Sequence, residues 1–468
     1  MRRSLAALAA TILAACGSNH TFTPPSTDTT GAGAFLDTLQ LRTFGYFWNL
    51  TNPANGLTPD RSPTPSFSSI AAVGFALTAY PIGVERGYVS RAAARDRVLA
   101  TLRFFWNAPQ DSSASATGYH GFFYHFLDMT TGQRFQTVEL STIDTALLLG
   151  GVLMCQSYFT DTDPGETEIR ALAESIYARA DWKWAQHHPP AIALGWHPET
   201  GFIPYDWRGY NEAMLIYILA LGSPTHPVGP DAWTAWTGTY SWGTFEGQTH
   251  LGFAPLFGHQ YSHVWIDFRA IQDAYMRSRS LDYFENSRRA TYAQQAYGAA
   301  DPGGWTGYGA QVWGLTASDG PANTTLQIGG QTRQFHTYFA RGASFTEIQD
   351  DGTIAPTAAG ASVAFAPELA IPALLAMRRT YGANLFSTYG FLDAFNPTFR
   401  GTPQQGRVDP QAGWFDSDYL GIDQGPILAM LENYRTGFAW RVMRSNPHIV
   451  TGLCRAGFTG GWLTGRCP

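Results

Sequence analysis

Four acidic residues stand where apolar helical segments are predicted to begin. Glu139 and Asp144 flank the start of one such segment, Glu212 precedes a second and Asp423 precedes a third. Burying an unpaired carboxylate is costly, so an acid in this position indicates either a helix cap or chemistry. Cleavage of a glycosidic bond is chemistry of this kind, because one carboxyl must protonate the leaving oxygen while a carboxylate acts as base or nucleophile.

Each acid also has a structural alternative. Glu139, or Ser141 beside it, can cap free amides at a helix start, and Glu212 can form an ion pair with Arg208. Asp423 suits an N-cap because a proline follows early in the predicted helix. We favour a catalytic role for Glu139, Asp144 and Glu212, and we keep both interpretations of Asp423 open.

A second set of candidates combines polar side chains with aromatic rings, a combination that binds sugar hydroxyls while a ring stacks on the pyranose face. The densest run lies at 259–269, and its alternative is an interhelical polar network. For the acids in loops the alternative is a turn. The substrate-binding candidates are Asp128, His125, Trp196, His197, Tyr210, His259, Tyr261, His263, Trp265, Arg269 and Asp319.

An internal echo in the sequence predicts the elements that position these residues. An apolar helix opening at 67–72 is followed by an amphipathic helix at 89–106, and the pattern recurs with an opening at 140–146 and a partner at 166–184. A helix that is apolar all round must be buried, whereas an amphipathic helix can face water. Repeated inner and outer helices of this kind predict a toroid or solenoid.

The echo also singles out Asp144, because Ala71 stands at the matching place in the first unit. Counting partial pairs gives about five or six, which favours a closed barrel over an open solenoid. We therefore predict an all-α fold, an (α/α)6 toroid barrel with long loops and a small β-hairpin at 121–135. Further helices are predicted at 211–221, 263–279, 282–297, 367–381 and from 423 onwards.

The N-terminal end predicts export and a lipid anchor. A short apolar run leads into a lipobox that ends at Cys16, and cleavage there frees the cysteine for acylation. An ordinary cleaved signal peptide is the alternative. The expected organisation is a signal peptide at 1–16, a flexible tether at 17–33 and one barrel domain at 34–468, in the periplasm or at the outer membrane.

The composition limits the kinds of molecule that this chain is expected to bind. The net charge is -6, with 30 basic and 36 acidic residues, so no electrostatic footprint for nucleic acid exists. Charged residues make up 14% of the chain and aromatic residues another 14%, a balance that suits neutral, hydroxyl-rich ligands. We expect a monomer without a cofactor that contacts the membrane only through its lipid. We also expect no metal, because no His/Cys cluster has metal-ligand spacing.

The remaining cysteines point to structure rather than catalysis. Cys454 and Cys467 flank a glycine-rich stretch and can close a small disulfide loop in an oxidising compartment. Cys155 lies in an apolar helical pattern, which predicts a buried free thiol.

Several motifs, in order along the chain, resemble the glucoamylase-like domain of glycoside hydrolase family 144, the endo-β-1,2-glucanase family. The resemblance extends from about residue 34 to residue 443. The motifs are FFYHFLD at 122–128, VELSTIDTALL at 138–148, YNEAM at 210–214, GLTASDGP at 314–321 and GIDQGPI at 421–427.

The resemblance implies an (α/α)6 barrel that hydrolyses linear β-1,2-glucan to sophorose-type oligosaccharides with inversion and without a metal. By matching motifs, Glu212 and Glu139 become the candidates for essential acid chemistry, with Glu212 favoured as the general acid. Asp144 and Asp423 become candidates for the base or for substrate binding. The alternatives are a glycosidase or transglycosylase of this fold acting on another glucan linkage, and a non-catalytic glycan-binding lipoprotein.

Overall fold

A computed structural model describes residues 31–467, and helices form its framework. The predicted signal peptide, Cys16 and most of the tether lie outside the described residues. The helices are α1 (Ala32–Leu50), α2 (Ile70–Glu85), α3 (Arg91–Asn107), α4 (Thr142–Tyr158), α5 (Pro164–Arg179), α6 (Trp182–Ala185), α7 (Met214–Gly222), α8 (Pro230–Thr237), α9 (Tyr261–Trp265), α10 (Ala274–Ser278), α11 (Tyr283–Ala300), α12 (Pro356–Gly360), α13 (Pro367–Tyr381), α14 (Gly421–Thr436), α15 (Phe438–Met443) and α16 (Pro447–Arg455), with short 3-10 helices at Leu256–His259, Gly382–Asn384 and Gly461–Leu463.

Short strands run through the long loops. They are β1 (Arg61–Ser62), β2 (Ser68–Ser69), β3 (Gly118–Tyr119), β4 (Phe122–Tyr124), β5 (Phe126–Leu127), β6 (Leu140–Ser141), β7 (Gly195–His197), β8 (Gly201–Phe202), β9 (Trp242–Phe245), β10 (Gln248–Leu251), β11 (Ala317–Ser318), β12 (Thr324–Ile328), β13 (Gln331–Phe335), β14 (Phe339–Ala340), β15 (Gly342–Ala343), β16 (Ile348–Gln349), β17 (Phe386–Ser387), β18 (Gly390–Phe391), β19 (Phe395–Asn396), β20 (Arg407–Asp409), β21 (Gly413–Phe415) and β22 (Tyr419–Leu420).

The helices divide into inner and outer ones, as the echo predicted, which is the arrangement of an (α/α)-barrel-type fold. α2, α4 and α7 are buried almost all round. α3 and α5 bury one face each, because their apolar residues recur at helical spacing while arginines and acids occupy the other side. In the part of the chain that the structure describes, no helix is both long and apolar enough to cross a membrane.

Glycines let the inner helices touch through their backbones. A Cβ atom added to Gly74 of α2 would lie 2.2 Å from the carbonyl oxygen of Leu147 in α4, and one added to Gly151 would lie 2.1 Å from that of Gly74. Any side chain at these two positions would force the helices apart. The apolar and small residues of the inner segments are therefore required by close packing as well as by burial.

The serine caps show that the two echoing helices align one residue away from the alignment predicted from the sequence. The Ser69 hydroxyl accepts a hydrogen bond from Ala72 N at the start of α2, and the Ser141 hydroxyl accepts one from Asp144 N at the start of α4. The residue that matches Asp144 is therefore Ala72 and not Ala71. The predicted contrast survives this shift, because an acid still replaces a small apolar residue three positions after the cap.

The fold contains more strand than the predicted single hairpin. The loops that precede α4 and α7 form a five-stranded sheet, which consists of β3, β4, β6, β7 and β8. In the segment predicted as a hairpin the chain reverses direction, and Asp128 N donates to Gln133 O at 2.9 Å while Phe135 N donates to Phe126 O at 2.9 Å. An all-α description was thus too simple, because loops of this length satisfy their backbone groups by pairing with one another.

The predicted helix at 263–279 is wrong. α9 ends at Trp265, and α10 begins only at Ala274. Between them Asp267 accepts hydrogen bonds from the backbone and side chain of Arg269, and Asp273 caps α10 by accepting from Met276 N. Such side-chain bonds to the backbone compete with helix formation. Similar breaks divide 166–184 into α5 and α6 and delay the start of α7 to Met214.

Cys454 and Cys467 form a disulfide that closes the C-terminal loop, while Cys155 is a buried free thiol, as predicted. Replacing both bonded cysteines by serine is expected to lower the free energy of unfolding by about 2–3 kcal/mol, because the reduced loop spans 13 residues and gains freedom when unfolded. Urea unfolding of the oxidised protein and the double variant measures this difference. Equal midpoints would contradict it, and activity serves as the control for an intact cleft.

Candidate active site

A cavity of about 450 Å³ opens where several inner helices begin. Its wall takes residues from the starts of α2, α4, α9 and α14 and from the turn before α7, so the mouths of the apolar helices meet at one place. The lining residues are Asp60, Arg61, Phe67, Ser69, His125, Phe126, Ile143, Asp144, Leu147, Glu212, Tyr261, Tyr338, Leu420 and Ile422.

His125 joins two of the predicted acids. Its Nδ1 lies 2.8 Å from Glu139 Oε1 and its Nε2 lies 3.5 Å from Asp144 Oδ1. Burial alone would lower the pKa of His125, but Asp144 and Glu139 together raise it to about 9, so the imidazole is a cation at neutral pH. Ser141 donates a second hydrogen bond to Asp144.

The two carboxyls respond differently to this cation. Burial raises the pKa of Asp144, and the opposing effects of His125 and Ser141 do not outweigh it. For Glu139 burial also raises the pKa, but the hydrogen bond and the charge of His125 overcome it and hold the value below the usual range. Glu139 is therefore an ionised partner of His125 at neutral pH.

Glu212 is the most isolated carboxyl in the cavity. Only 8% of the residue is exposed, and its Oε2 has no hydrogen-bond partner among the described residues. Burial, with a smaller contribution from Asp144, raises the pKa of Glu212 to about 7. The turn before α7 is fixed because Ser262 donates to the Glu212 carbonyl at 3.0 Å. A carboxyl that is about half protonated at neutral pH can act as a proton donor.

A second group of carboxyls lies around Arg61. The Arg61 guanidinium contacts Asp60 at 3.2 Å and Asp319 at 2.6 Å. Arg61 belongs to β1, which pairs with β22 directly before α14. This pairing brings a loop residue near the beginning of the chain to the mouth of a helix near its end.

Asp393 and Asp423 are neighbouring buried carboxyls beside this group, and each affects the pKa of the other. Two neighbouring buried carboxyls resist carrying a negative charge at the same time. Burial, followed by the charges of Asp423 and Asp319, raises the pKa of Asp393 well above its usual range. Burial also raises the pKa of Asp423 to about 7. Asp423 Oδ2 has no hydrogen-bond partner in the described part of the chain, and neither has Asp416 Oδ2.

Two sets of donor atoms in residues 31–467 lie close enough together to hold a metal ion. They are His125 with Glu139 and Asp144, and Asp319 with Asp393 and Asp416; within each set the donor atoms lie within 4.8 Å of one another. A protein cation already faces each set, since His125 is charged and Arg61 binds Asp319.

Several predicted site residues line or adjoin this cavity. Glu212, Asp144, His125 and Tyr261 line it, and Glu139 adjoins it through His125. Asp319 and Asp423 also adjoin the cavity, on the side that Arg61 lines.

Other predicted residues do not line the cavity. Asp128 caps an exposed turn by accepting from Thr130 N and Thr131 N. Trp196 and His197 belong to β7, where Trp196 packs on Tyr119. Asp128 thus takes the turn that was its alternative, while the binding role of Trp196 and His197 stays a prediction for residues outside the cavity.

The polar and aromatic run at 259–269 is mostly internal, apart from Tyr261. Tyr210, which precedes this run, packs against Tyr283. The other contacts are His259 with the Phe253 carbonyl, His263 with Ser287, Trp265 with Thr78 and Arg269 with Asp267. Burial lowers the pKa of His263 to about 3, so this imidazole is neutral. The run forms the interhelical network that was its alternative, because the polar contacts of these side chains lie within the protein, with His263 Nδ1 left without a partner among the described residues.

Asp60, Arg61, Asp393, Asp416 and Tyr338 are the site residues that sequence reasoning missed. They lie on loops or two- to three-residue strands, so no helical pattern marks them. No local sequence signal marks them, because the pairing of β1 with β22 that brings Arg61 to this cavity joins distant segments of the chain.

Comparisons with known proteins agree with this picture. A family model described as putative glucoamylase matches residues 204–447, which is slightly more than half of the chain. A structure described as a putative glucoamylase from Bacteroides uniformis is 31% identical, covers 92% of this chain and 99% of its own, and has a TM-score of 0.78. The endo-β-1,2-glucanase from Chitinophaga pinensis is 26% identical, with coverages of 92% and 99% and a TM-score of 0.79.

A curated relative from Parabacteroides distasonis is named exo β-1,2-glucooligosaccharide sophorohydrolase (non-reducing end). It is 29% identical over 455 residues, which cover 89% of this chain. The chain spans only 57% of the length of that relative. The family match and the 31% identity along nearly a whole homologous structure establish that this chain belongs to the glucoamylase-like family, glycoside hydrolase family 144.

Proposed function

We propose that the chain is a glycosidase that cleaves β-1,2-glucan to sophorose or sophoro-oligosaccharides by an inverting acid/base mechanism. The observation that carries this proposal is the pairing of two environments around one cavity. Glu212 is an isolated carboxyl with a pKa of about 7, while Asp423 and Asp393 belong to a separate group of buried carboxyls beside the same cavity. Two separate carboxyls at one cavity provide the acid and the base that glycoside hydrolysis needs.

Glu212 is the proposed general acid. The glycosidic oxygen becomes a strong base as its bond to the anomeric carbon breaks, and Glu212 donates a proton to it. Burial supports this role because it keeps the proton on the carboxyl near neutral pH. The positive charge that develops on the sugar ring is stabilised by the carboxylates that surround the cavity.

Asp423 is the proposed general base of the pair. Both oxygens of the other candidate, Asp144, are engaged, one with His125 and one with Ser141. Asp423 Oδ2 instead has no hydrogen-bond partner among the described residues, so no protein donor occupies it, which supports Asp423 as the base. Asp144 and Glu139 then serve to hold the His125 cation in place.

The relatives support the choice of substrate. The names of the Chitinophaga and Parabacteroides proteins both refer to β-1,2-linked glucose, one as a glucan and the other as gluco-oligosaccharides. We also propose six helix pairs in the barrel, supported by inner positions for α2, α4, α7, α9, α12 and α14. One domain at 34–468, a lipid on Cys16, a periplasmic or outer-membrane location and a monomeric state complete the proposal, on the sequence grounds given above.

Product analysis tests the proposed function. The protein is incubated with linear β-1,2-, β-1,3- and β-1,4-glucans, and the released sugars are separated by chromatography. Sophoro-oligosaccharides from the first glucan alone are expected. Their complete absence would overturn the proposal, and products from another glucan instead would assign the enzyme to that other linkage. Proton NMR during the first turnovers should show the α-anomer at the new reducing end, because inversion of a β-linkage produces it.

The pH profile of kcat/KM should be bell-shaped with its maximum close to neutral pH. Glu212 works only while protonated, so activity should fall as the pH rises past its pKa of about 7. Asp423 works only as a carboxylate, so activity should also fall as the pH drops below its pKa of about 7. Initial rates between about pH 4 and pH 10 measure both limbs. Activity that keeps rising through the alkaline range would exclude a protonated carboxyl as the donor.

A further inference from the structure

Tyr338 exposes its ring to the cavity. It is 52% exposed, and among the strongly exposed large apolar side chains of residues 31–467 it is the one that lines the cavity. Within the same described residues, Tyr338 makes no ring contact with another aromatic side chain and its hydroxyl makes no hydrogen bond. An uncovered ring in a concave site leaves a face for a ligand.

The backbone around Tyr338 is held rigidly. His336 N donates to Asp351 Oδ2 at 3.0 Å, and Thr337 N donates to Asn323 Oδ1 at 3.0 Å. The guanidinium of Arg341, which is completely buried, donates to the carbonyl oxygens of His336 and Thr337 at 3.1 and 3.2 Å. The ring is therefore presented by a segment that need not be ordered when a ligand binds, which favours affinity.

Strand pairing places Tyr338 on the side of Arg61 and Asp423, because the next residue, Phe339, pairs with Ser318 and the adjoining Asp319 binds Arg61 at 2.6 Å. The pKa of the Tyr338 hydroxyl is raised first by the protein around it and then by Asp393 and Asp423. The pKa of Tyr261 is raised by Asp423 and Tyr338 and also by Glu212, so Tyr261 lies within electrostatic reach of both sides. Tyr338 thus offers a neutral ring next to carboxylates that can accept hydrogen bonds from sugar hydroxyls.

We propose that Tyr338 is a stacking platform for a glucosyl unit of the substrate, on the Asp423 side of the cleavage point. This inference rests on the proposed function for its substrate class, a neutral β-glucan. The apolar face of a pyranose covers the ring, while the neighbouring carboxylates bind hydroxyls at its edge. The platform fixes which glucosyl unit lies beside the base.

Binding measurements on the Glu212→Gln variant test this role, because that variant keeps the cavity but does not consume the ligand. Calorimetric titration with a linear β-1,2-gluco-oligosaccharide is carried out with Tyr338→Ala, Tyr338→Phe or Tyr434→Ala added. Tyr338→Ala should weaken binding about five- to tenfold, whereas Tyr338→Phe should stay within about twofold because it keeps the ring. Tyr434 is a matched control, as it is 42% exposed near the far end of α14.

Kinetics of the single Tyr338→Ala variant should show KM rising more than kcat falls. The platform is overturned if Tyr338→Ala binds as tightly as the Tyr434→Ala control, or if Tyr338→Phe loses as much as Tyr338→Ala. Failure of the proposed function is a separate result, in which wild-type protein releases nothing from β-1,2-glucan. In that case the same titrations with β-1,3- and β-1,4-gluco-oligosaccharides test the platform. A loss of binding in Tyr338→Ala but not in the control supports the platform, and unchanged binding overturns it.

Discussion

Replacing Glu212 by glutamine is expected to lower kcat on β-1,2-glucan by a factor of about 10²–10⁴, the usual contribution of a general acid. The amide has nearly the shape of the carboxyl but no acidic proton. Binding of gluco-oligosaccharide should therefore change little. Steady-state kinetics with the purified variant measures the loss, and Glu246→Gln, an exposed acid in the turn between β9 and β10, is the matched control.

The same variant should be more stable than the wild type above neutral pH. Glu212 has a folded pKa of about 7, above its ordinary value, so wild-type stability falls as the pH rises from about 4.5 to about 7 and then levels off. An amide avoids this cost of burying a charge. Thermal unfolding at pH 8 should show a gain of about 1–3 kcal/mol. Unchanged turnover, or a variant less stable at pH 8 than at pH 5 by as much as the wild type, would contradict the role of Glu212.

Replacing Asp423 by asparagine is expected to lower kcat by a factor of about 10²–10⁴, because the variant cannot accept a proton from water. Its partner Asp393 then loses a carboxyl neighbour that raises its pKa. The acid limb of the pH profile should therefore disappear or move to lower pH in the residual activity. Asp231→Asn, an exposed acid in the first turn of α8, is the matched control.

A comparison with Asp144→Asn separates the two candidate bases. Asp144 holds His125 and accepts from Ser141, so its replacement should disturb the His125 pair and lower the pKa of that imidazole. NMR titration of His125 follows this change. If Asp423→Asn keeps activity within about threefold of wild type while Asp144→Asn loses all turnover, the base is Asp144.

The helical framework and one side of the cavity were predictable because local pattern determines them. Apolar segments such as α2 and α4 have to be buried, and Glu139, Asp144 and Glu212 stood out as acids at their openings. The C-terminal disulfide was foreseeable from two cysteines that flank a short loop. These inferences needed only the composition of one segment at a time.

The other side of the cavity depends on contacts between distant segments. Arg61 reaches α14 through the pairing of β1 with β22, and the Asp393 carboxyl accepts a hydrogen bond of 2.6 Å from Asp319 N across 74 residues. No periodicity records such contacts. Conversely, the run around His263 looked like a binding surface because its residue types suit sugars, but most of its polar contacts are made inside the helix packing, as in the contact of His263 Nε2 with Ser287.

A crystal structure of the Glu212→Gln variant with a linear β-1,2-gluco-oligosaccharide tests the central claim most directly. We predict that the glycosidic oxygen of one linkage lies within about 3 Å of the residue 212 amide, with a water between Asp423 and the anomeric carbon of that linkage. An oligosaccharide bound along Trp196 and His197, with no glycosidic oxygen near residue 212, would contradict it.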